Sequence, residues 1–163
     1  MLKNILISSL LLLSFVSYAD TSEMDASIKK LQVGSILPPL ELKTQHGKSV
    51  KIGKDVKTLL FAVEKAPSAL INDFILKQEA DYLTKNKAYF VADISGMPSL
   101  ITKMFAIPKM KKRPYDILLA KKSAKVAFIP RKKEFVTVVK VAAGKVTAIM
   151  FLNKVEQLTG TLR

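Results

Sequence analysis

Three residues could form a nucleophilic catalytic site. Ser68 follows Glu64 by four positions, and the single histidine, His46, lies in a different segment of the chain. A serine nucleophile needs a base within hydrogen-bonding distance, and neither this spacing nor a G-x-S-x-G motif supplies one. We therefore expect Ser68 to lie in the first turn of a helix and to pair with free backbone N–H groups. No residue is predicted to be catalytic.

The residue types offer little for metal binding. The chain has no cysteine, and its histidine stands in a Gln-His-Gly-Lys turn without a second histidine to complete a ligand set. Met97, Met104 and Met110 recur at intervals of seven and six, and thioether sulfur can bind copper(I). Met104 lies at helical spacing from Leu100 and Ile101, however, so we interpret it as a core residue. The sequence thus predicts neither a metal site nor a cofactor.

Basic residues are concentrated in one stretch of the chain. The whole sequence has 27 basic and 13 acidic residues and a net charge of +14. Between residues 103 and 133, eleven lysines and arginines accompany one acid, Asp116, and Phe105, Tyr115 and Phe128 lie among them. Several cations together can bind an anionic membrane, because each contributes about 1 kcal/mol near its surface. The alternative is a solvated surface that only keeps the protein soluble.

We predict that this stretch forms one contiguous positive face for an anionic partner, such as membrane headgroups or an acidic polymer. Pro108, Pro114 and Pro130 are expected to hold much of it in loops at one end of a sheet. Nucleic acid is not favoured as the partner, because no nucleic-acid-binding motif is present. The predicted face consists of Lys103, Lys109, Lys111, Lys112, Arg113, Lys121, Lys122, Lys125, Arg131, Lys132 and Lys133.

Apolar patterning predicts the strands that must position these side chains. Residues 40–52 alternate between apolar and polar on either side of a turn, which indicates a β-hairpin with one solvent-facing side. Residues 56–63 and 88–94 are nearly continuous apolar runs, as expected of strands buried on both faces. Residues 135–141 and 145–151 indicate a second hairpin. The strands alternate with amphipathic segments, which favours an α/β domain covered on both faces.

Three helices are predicted. Pro67 suits the first turn of a helix that runs to about residue 86, since its missing N–H would be unpaired there in any case. A second helix begins near Ser95, and Asn153 is a suitable N-cap for a third. The residues of the second helix that we expect to face the core are Leu100, Ile101, Met104 and Phe105.

The first nineteen residues have the features of a secretory signal peptide. Lys3 supplies a short positive region, residues 5–16 are apolar, and Ser17-Tyr18-Ala19 is a small-x-small cleavage site. An uncleaved membrane anchor is the alternative, but four serines interrupt the apolar segment. We expect cleavage after Ala19, a periplasmic or secreted product, and a single domain over residues 20–163, a length typical of one domain.

The order and lengths of these elements resemble the thioredoxin-like superfamily, and within it the redoxin branch of peroxiredoxins and TlpA-type proteins. The small YtfJ-type group of exported proteins is similar around residues 93–95 and 144–146. The segments that carry the wider resemblance are residues 33–38, 40–42, 46–48, 59–63, 66–68, 135–139 and 144–146. The resemblance implies a three-layer α/β fold, with a central mixed sheet flanked by helices and an N-terminal β-hairpin extension.

The chain departs from that superfamily at its redox motif. The resemblance places the motif at the start of the first long helix, where this chain reads Glu64-Lys65-Ala66-Pro67-Ser68 and both thiols would be replaced, by Lys65 and Ser68. Because only a thiolate exchanges disulfides, thiol–disulfide and peroxidase activities are excluded. The resemblance also implies a cis-proline that helps bind extended peptides, and Pro130 or Pro114 could take that position.

The favoured function is therefore an exported, non-redox, thioredoxin-like module that binds a protein or an anionic surface. Two alternatives stay open, because one scaffold can host unrelated functions: an enzyme of unknown chemistry and a carrier of an apolar ligand. An enzyme should have a concave pocket at residues 64–68, whereas a carrier should have a void behind Met104 and Phe105.

Overall fold

Seven strands form one mixed sheet in the order β2-β1-β5-β4-β3-β6-β7. The computed structural model describes residues 28–162, so the predicted signal peptide lies outside the described residues. Strands β3, β4 and β5 run parallel, whereas β1 pairs antiparallel with β5 and β6 pairs antiparallel with β3. The strands are β1 (Leu40–Thr44), β2 (Ser49–Ile52), β3 (Thr58–Ala62), β4 (Ala88–Asp93), β5 (Ile117–Ala120), β6 (Val136–Ala142) and β7 (Lys145–Leu152).

The first predicted helix is in fact two helices. The N–H groups of Lys77 and Gln78 donate to the carbonyls of Phe74 and Ile75, three residues earlier, at 3.2 and 2.9 Å, which closes the first helix in a tighter turn. The helices are α1 (Lys65–Ile75), α2 (Tyr82–Lys85), α3 (Ser99–Ile101), α4 (Ile107–Lys111) and α5 (Val155–Leu162). A π-helical turn (Thr102–Ala106) joins α3 to α4, and a 3₁₀ helix (Ser123–Lys125) follows β5. Within residues 28–162, no helix has the length and apolar character needed to cross a membrane.

Apolar side chains cover both faces of the sheet. On one face, helices α1, α2 and α5 pack against the strands through residues such as Phe74, Leu83 and Leu158. On the other face, the covering residues come from irregular chain, including Leu31 and Ile129. Strand β3 is buried along its whole length because both layers cover it. The prediction of a mixed sheet covered on both faces, with an N-terminal hairpin (β1–β2), is confirmed.

Helix α3, the π-helical turn and α4 form one continuous helical segment, here called the composite helix (99–111). Thr102 is nearly buried, and Ile107, five residues later, packs against the core. The hydrogen bonds of a π-helix join residues five apart, so a π turn holds more residues than an α turn and shifts which side of the composite helix faces inward. The prediction that four of its apolar residues face the core is therefore wrong. Their exposed fractions are 64% for Leu100, 44% for Ile101, 60% for Met104 and 63% for Phe105.

Candidate functional site

The segment from Glu64 to Ser68 lies at the start of α1, directly after the central strand β3. Ser68 Oγ donates to the carbonyl oxygen of Glu64 at 2.8 Å, whereas the sequence predicted a bond to free N–H groups. A side-chain hydroxyl in a helix commonly bonds back to the carbonyl four residues earlier, which explains the difference. The proton of Ser68 is thus engaged by the backbone, and among the described residues no side-chain base contacts Ser68 Oγ.

His46 is far from Ser68. It lies in the turn after β1, and the last residue of β1, Thr44, pairs with Leu118 near the beginning of β5. This is the edge of the sheet at which the parallel strands begin, whereas α1 starts at the edge where β3 ends. The structure therefore does not bring His46, Ser68 and Glu64 together, so they form no catalytic triad.

The loop between residues 130 and 135 is fixed against the start of α1. The backbone N–H of Glu134 donates to Glu64 Oε2 at 2.8 Å, and Glu134 adopts a φ of 66°, which is uncommon for a residue with a side chain. Arg131 Nη1 lies 3.2 Å from Asp93 Oδ2, and its guanidinium stacks over the ring of Phe61. Sequence spacing gave no signal for these contacts, because they join residues 38 and 70 positions apart.

The carboxylate of Asp93 is almost completely buried at the end of β4. Its side chain is 1% exposed, and Oδ1 accepts hydrogen bonds from the N–H and the hydroxyl of Ser95 at 3.0 and 2.6 Å. With the Arg131 pair, both carboxylate oxygens have partners, as a buried charge requires. Arg131, predicted to belong to the anionic-partner face, therefore has an internal partner.

Neither candidate proline follows a cis peptide bond. Residues 28–162 contain no cis peptide bond, so the bonds that precede Pro114 and Pro130 are both trans and the prediction of a cis-proline is wrong. Strand β6 begins at Val136, six residues after Pro130, and an irregular loop fills the interval. The proline therefore does not open the strand that pairs with β3.

A pocket of about 600 Å³ lies between α1 and the composite helix, beside the segment from Glu64 to Ser68. Apolar side chains from the sheet and from the composite helix form much of its lining. They include Val63, Phe90, Ile94, Met97, Ile101, Phe105 and Met110. Glu64, Lys65 and Ser68 also line it, so the concave pocket expected of an enzyme at this segment is present. The same pocket lies behind Phe105, as expected of an apolar-ligand carrier, while Met104 is not among its lining residues.

Neutral polar groups at this pocket are hydrogen-bonded within the protein. Asn72 Nδ2 donates to the carbonyl of Ser68 at 2.7 Å, and Asn72 Oδ1 accepts from the hydroxyl of Tyr115 at 2.6 Å. Burial raises the pKa of Tyr115 above its usual value of 10.0, so this hydroxyl stays protonated as a donor at neutral pH. Asn72 therefore ties α1 to the chain just before β5 at one wall of the pocket.

The exposed side chains of Leu100, Ile101, Met104 and Phe105 form a surface here called the apolar ridge. Ile101 and Phe105 also line the pocket, so the ridge and the pocket are continuous. From residue 97 to residue 115 the chain carries five basic residues and no acid. The ridge is thus an apolar surface on a cationic helix, and apolar side chains exposed in such a cluster typically mark an interaction site.

The predicted basic face is divided into two groups. Because β5 runs parallel to β3 and β4, residues 109–113 precede it at the edge where those strands begin, and residues 121–125 follow it at the opposite edge. Residues 131–133 lie near this second edge, since they precede β6. Pro108 lies inside α4 rather than in a loop. The expectation of a loop-borne face at one end of the sheet is therefore wrong, while binding of an anionic partner stays a prediction.

Metal ligands do not cluster in the part of the chain that the structure describes. No group of three or more histidine, cysteine, aspartate or glutamate side chains there could hold a metal ion. Met97 and Met110 line the pocket, whereas the third spaced methionine, Met104, is exposed on the ridge. The interpretation of Met104 as a core residue is wrong, because the π turn rotates it outward.

No protein-family model and no curated protein sequence matches the chain. Peroxidoxin BcpB from Mycobacterium tuberculosis is similar in structure, with a TM-score of 0.54 and 14% identity over 81% of this chain and 94% of that one. The exposed lipoprotein thioredoxin Etrx1 from Streptococcus pneumoniae gives a TM-score of 0.53 at 14% identity, over 77% of this chain and 98% of that one. A thio-disulfide isomerase from Thermus thermophilus gives a TM-score of 0.50 at 18% identity, over 81% of this chain and 95% of that one.

These similarities concern the fold. The fold of this chain is similar to that of a peroxidoxin and of a thio-disulfide isomerase, at sequence identities of 14% and 18%. The segment from Glu64 to Ser68 lies where the sequence resemblance placed the redox motif, at the start of the first long helix. The chain has a thioredoxin-like fold without cysteine, and hence without the thiol chemistry of classical redox proteins.

Proposed function

We propose that this protein is a non-catalytic binding module that docks on an anionic lipid surface through the apolar ridge and the lysines beside it. The observation that carries the proposal is the exposure of four large apolar side chains on a helix that has basic residues and no acids. A helix of this composition binds at a membrane interface, with its apolar side chains among the acyl chains and its lysines at the headgroups.

The expected energies are sufficient for reversible binding. Complete burial of one leucine, methionine or phenylalanine side chain contributes about 1.5–3 kcal/mol, and partial insertion contributes less. Each lysine near an anionic surface adds about 1 kcal/mol, which salt reduces. Lys103 lies next to Met104 on the composite helix and is exposed, and Lys112 follows the helix end. Apolar and ionic contributions can therefore act together at one surface.

A lipid surface fits this region better than a folded protein partner. A docking protein would bury the ridge in a complementary groove with acidic groups placed opposite individual lysines. The basic residues of the composite helix are spread along it with no acid among them, so they can contact a diffuse layer of headgroups. Binding to a protein is the competing outcome of the experiment.

Vesicle co-sedimentation tests the proposal. We expect the protein to sediment with vesicles of phosphatidylglycerol and phosphatidylcholine at low salt, and much less with phosphatidylcholine alone. The variant Leu100→Ser/Met104→Ser alters two exposed side chains that do not line the pocket. It should weaken binding about tenfold or more, since it removes much of the inserted apolar surface. A matched control is Leu76→Ser, which alters an exposed leucine at the end of α1.

A second pair of variants tests the charge contribution. Lys103→Gln/Lys112→Gln should lower vesicle affinity and its salt dependence. Lys54→Gln/Lys145→Gln alters two exposed lysines near the start of β7, the edge strand on the opposite side of the sheet from β1 and β2. It removes the same charge and should leave both unchanged. If both pairs of variants lost the same vesicle affinity, binding would depend on net charge and not on the position of the lysines. Binding to neutral vesicles as strong as to anionic ones, or binding only to a protein, would overturn the proposal.

Export to the periplasm or to the medium belongs to the same proposal. The signal-peptide features of residues 1–19 support it, and a protein released there would meet membrane surfaces directly. We expect the protein from its native host to begin at Asp20. Intact mass spectrometry tests this, and a mass that includes Met1 to Ala19 would contradict it.

A further inference from the structure

The pocket behind the apolar ridge has the size and lining of a site for a small apolar ligand. Its volume of about 600 Å³ lies within the usual range of small-molecule sites. Phe90 and Ile94 line it from the sheet, and Met97, Phe105 and Met110 line it from the composite helix and the residues before it. Methionine and phenylalanine adapt to flexible apolar chains, because sulfur is polarisable and the aromatic faces are large.

The neutral polar groups of the pocket are partly engaged within the protein. Asn72 uses both its amide nitrogen and its amide oxygen within the protein, and Ser68 Oγ donates to the backbone. A ligand that competed for these groups would leave buried polar atoms unpaired, which is unfavourable. Most of the lining residues are apolar, so the pocket favours an apolar segment of a ligand.

Three cations and three acids line the pocket, and they differ in whether they have partners within the protein. Lys65, Lys109 and Arg113 line it, and within residues 28–162 none of these three side chains forms an ion pair. Of the acids, Asp93 pairs with Arg131 and Glu64 accepts the N–H of Glu134, whereas Asp73 forms no ion pair within residues 28–162. An anionic group near Lys109 and Arg113 would therefore meet cations that form no ion pair, and Asp73 is the carboxylate that would compete with it.

We propose that the pocket binds a single acyl chain that carries an anionic head, with the chain between α1 and the composite helix and the head near Lys109 and Arg113. The choice of an acyl chain over an apolar peptide with a free carboxylate rests on the proposed membrane docking, since Ile101 and Phe105 belong to both the ridge and the pocket. A chain leaving a membrane would thus pass directly from the docked ridge into the pocket.

Calorimetric titration of the purified protein with hexadecanoate below its micellar concentration tests this inference. Ala69 and Ala66 are both exposed residues of α1, but only Ala69 lines the pocket. Ala69→Leu should weaken hexadecanoate binding about tenfold, because the added atoms occupy ligand space, and Ala66→Leu should leave it unchanged. Arg113→Gln should weaken hexadecanoate binding more than hexadecanol binding, since only the first ligand carries a charge.

Four outcomes would overturn the inference: no binding of hexadecanoate, equal effects of Ala69→Leu and Ala66→Leu, equal affinity for octanoate, or tighter binding of an apolar peptide that ends in a free carboxylate. The ridge variant Leu100→Ser/Met104→Ser separates this inference from the proposed function. It should lose vesicle binding and keep hexadecanoate binding, whereas Ala69→Leu should show the reverse. Failure of the vesicle experiment alone would overturn membrane docking, and failure of the titration alone would overturn the acyl site.

Discussion

At the scale of single residues, the contacts of Arg131 determine the role of its charge. In the sequence it is one cation among many in a basic stretch. In the structure its guanidinium pairs with the buried carboxylate of Asp93 and stacks over the ring of Phe61 at 5.5 Å. The side chain is 37% exposed, so solvent screens the pair partly, but Asp93 itself has no access to water. Arg131 therefore fixes the loop that contacts Glu64, while part of its side chain stays exposed.

Arg131→Gln should lower the free energy of unfolding by about 2–3 kcal/mol, because the buried carboxylate of Asp93 loses its charged partner. Urea unfolding measures the change. Lys133→Gln, an exposed neighbour in the same loop, should change it by less than about 0.5 kcal/mol. The double variant Asp93→Asn/Arg131→Gln should recover part of the loss. Equal stability of the Arg131 and Lys133 variants would show that the ion pair does not stabilise the loop.

At the scale of elements, the last helix does not begin directly after the N-cap residue that the sequence predicted. Asn153 is a favourable N-cap, but α5 begins at Val155, so the residue before it is Lys154. The amide oxygen of Gln157 reaches back instead and accepts the N–H groups of Asn153 and Lys154 at 3.1 and 3.2 Å. This is the reciprocal half of a capping box, and it satisfies backbone donors that the helix leaves open.

Gln157→Ala should therefore destabilise the protein by about 1 kcal/mol, as loss of a helix cap usually does. Asn153→Ala should have an effect below about 0.3 kcal/mol, because its backbone N–H, and not its side chain, takes part in the cap. Thermal unfolding of the two variants measures the difference. A larger loss for Asn153→Ala would mean that the sequence signal, and not the observed geometry, describes the cap.

At the scale of the whole molecule, a thioredoxin-like sheet is retained where the thiols are absent. The start of α1 follows β3 directly, yet its residues are Lys65 and Ser68 in place of two cysteines. Serine does not form a thiolate and lysine does not exchange disulfides, so the position carries no redox chemistry. What the fold provides here is a pocket between two helices and a loop held by Arg131.

The purified protein should show no disulfide reductase and no peroxidase activity. Insulin reduction with dithiothreitol and peroxide consumption with a thiol donor are the two measurements. A thioredoxin with intact cysteines serves as the positive control, and heat-treated protein sets the background. Turnover above that background would contradict the prediction, since the chain has no sulfhydryl group.

Amino-acid sequence alone determined the sheet and its layers, because strands buried on both faces must be continuously apolar. The runs that became β3 and β4 illustrate this, and Pro67 correctly located the start of α1 within two residues. Because the chain has no cysteine, its composition alone excludes thiol chemistry. These features depend on local pattern or on composition, and both can be read along the chain.

Tertiary structure alone decided which residues are exposed and which are paired. An α-helical period placed Met104 and Phe105 inside, but the π turn adds a residue to the helical repeat and places them in solvent. The direction of β5 divided the basic residues between two edges, and the Asp93–Arg131 pair joined distant segments. A local pattern cannot encode such contacts, because they depend on where the sheet brings separate parts of the chain together.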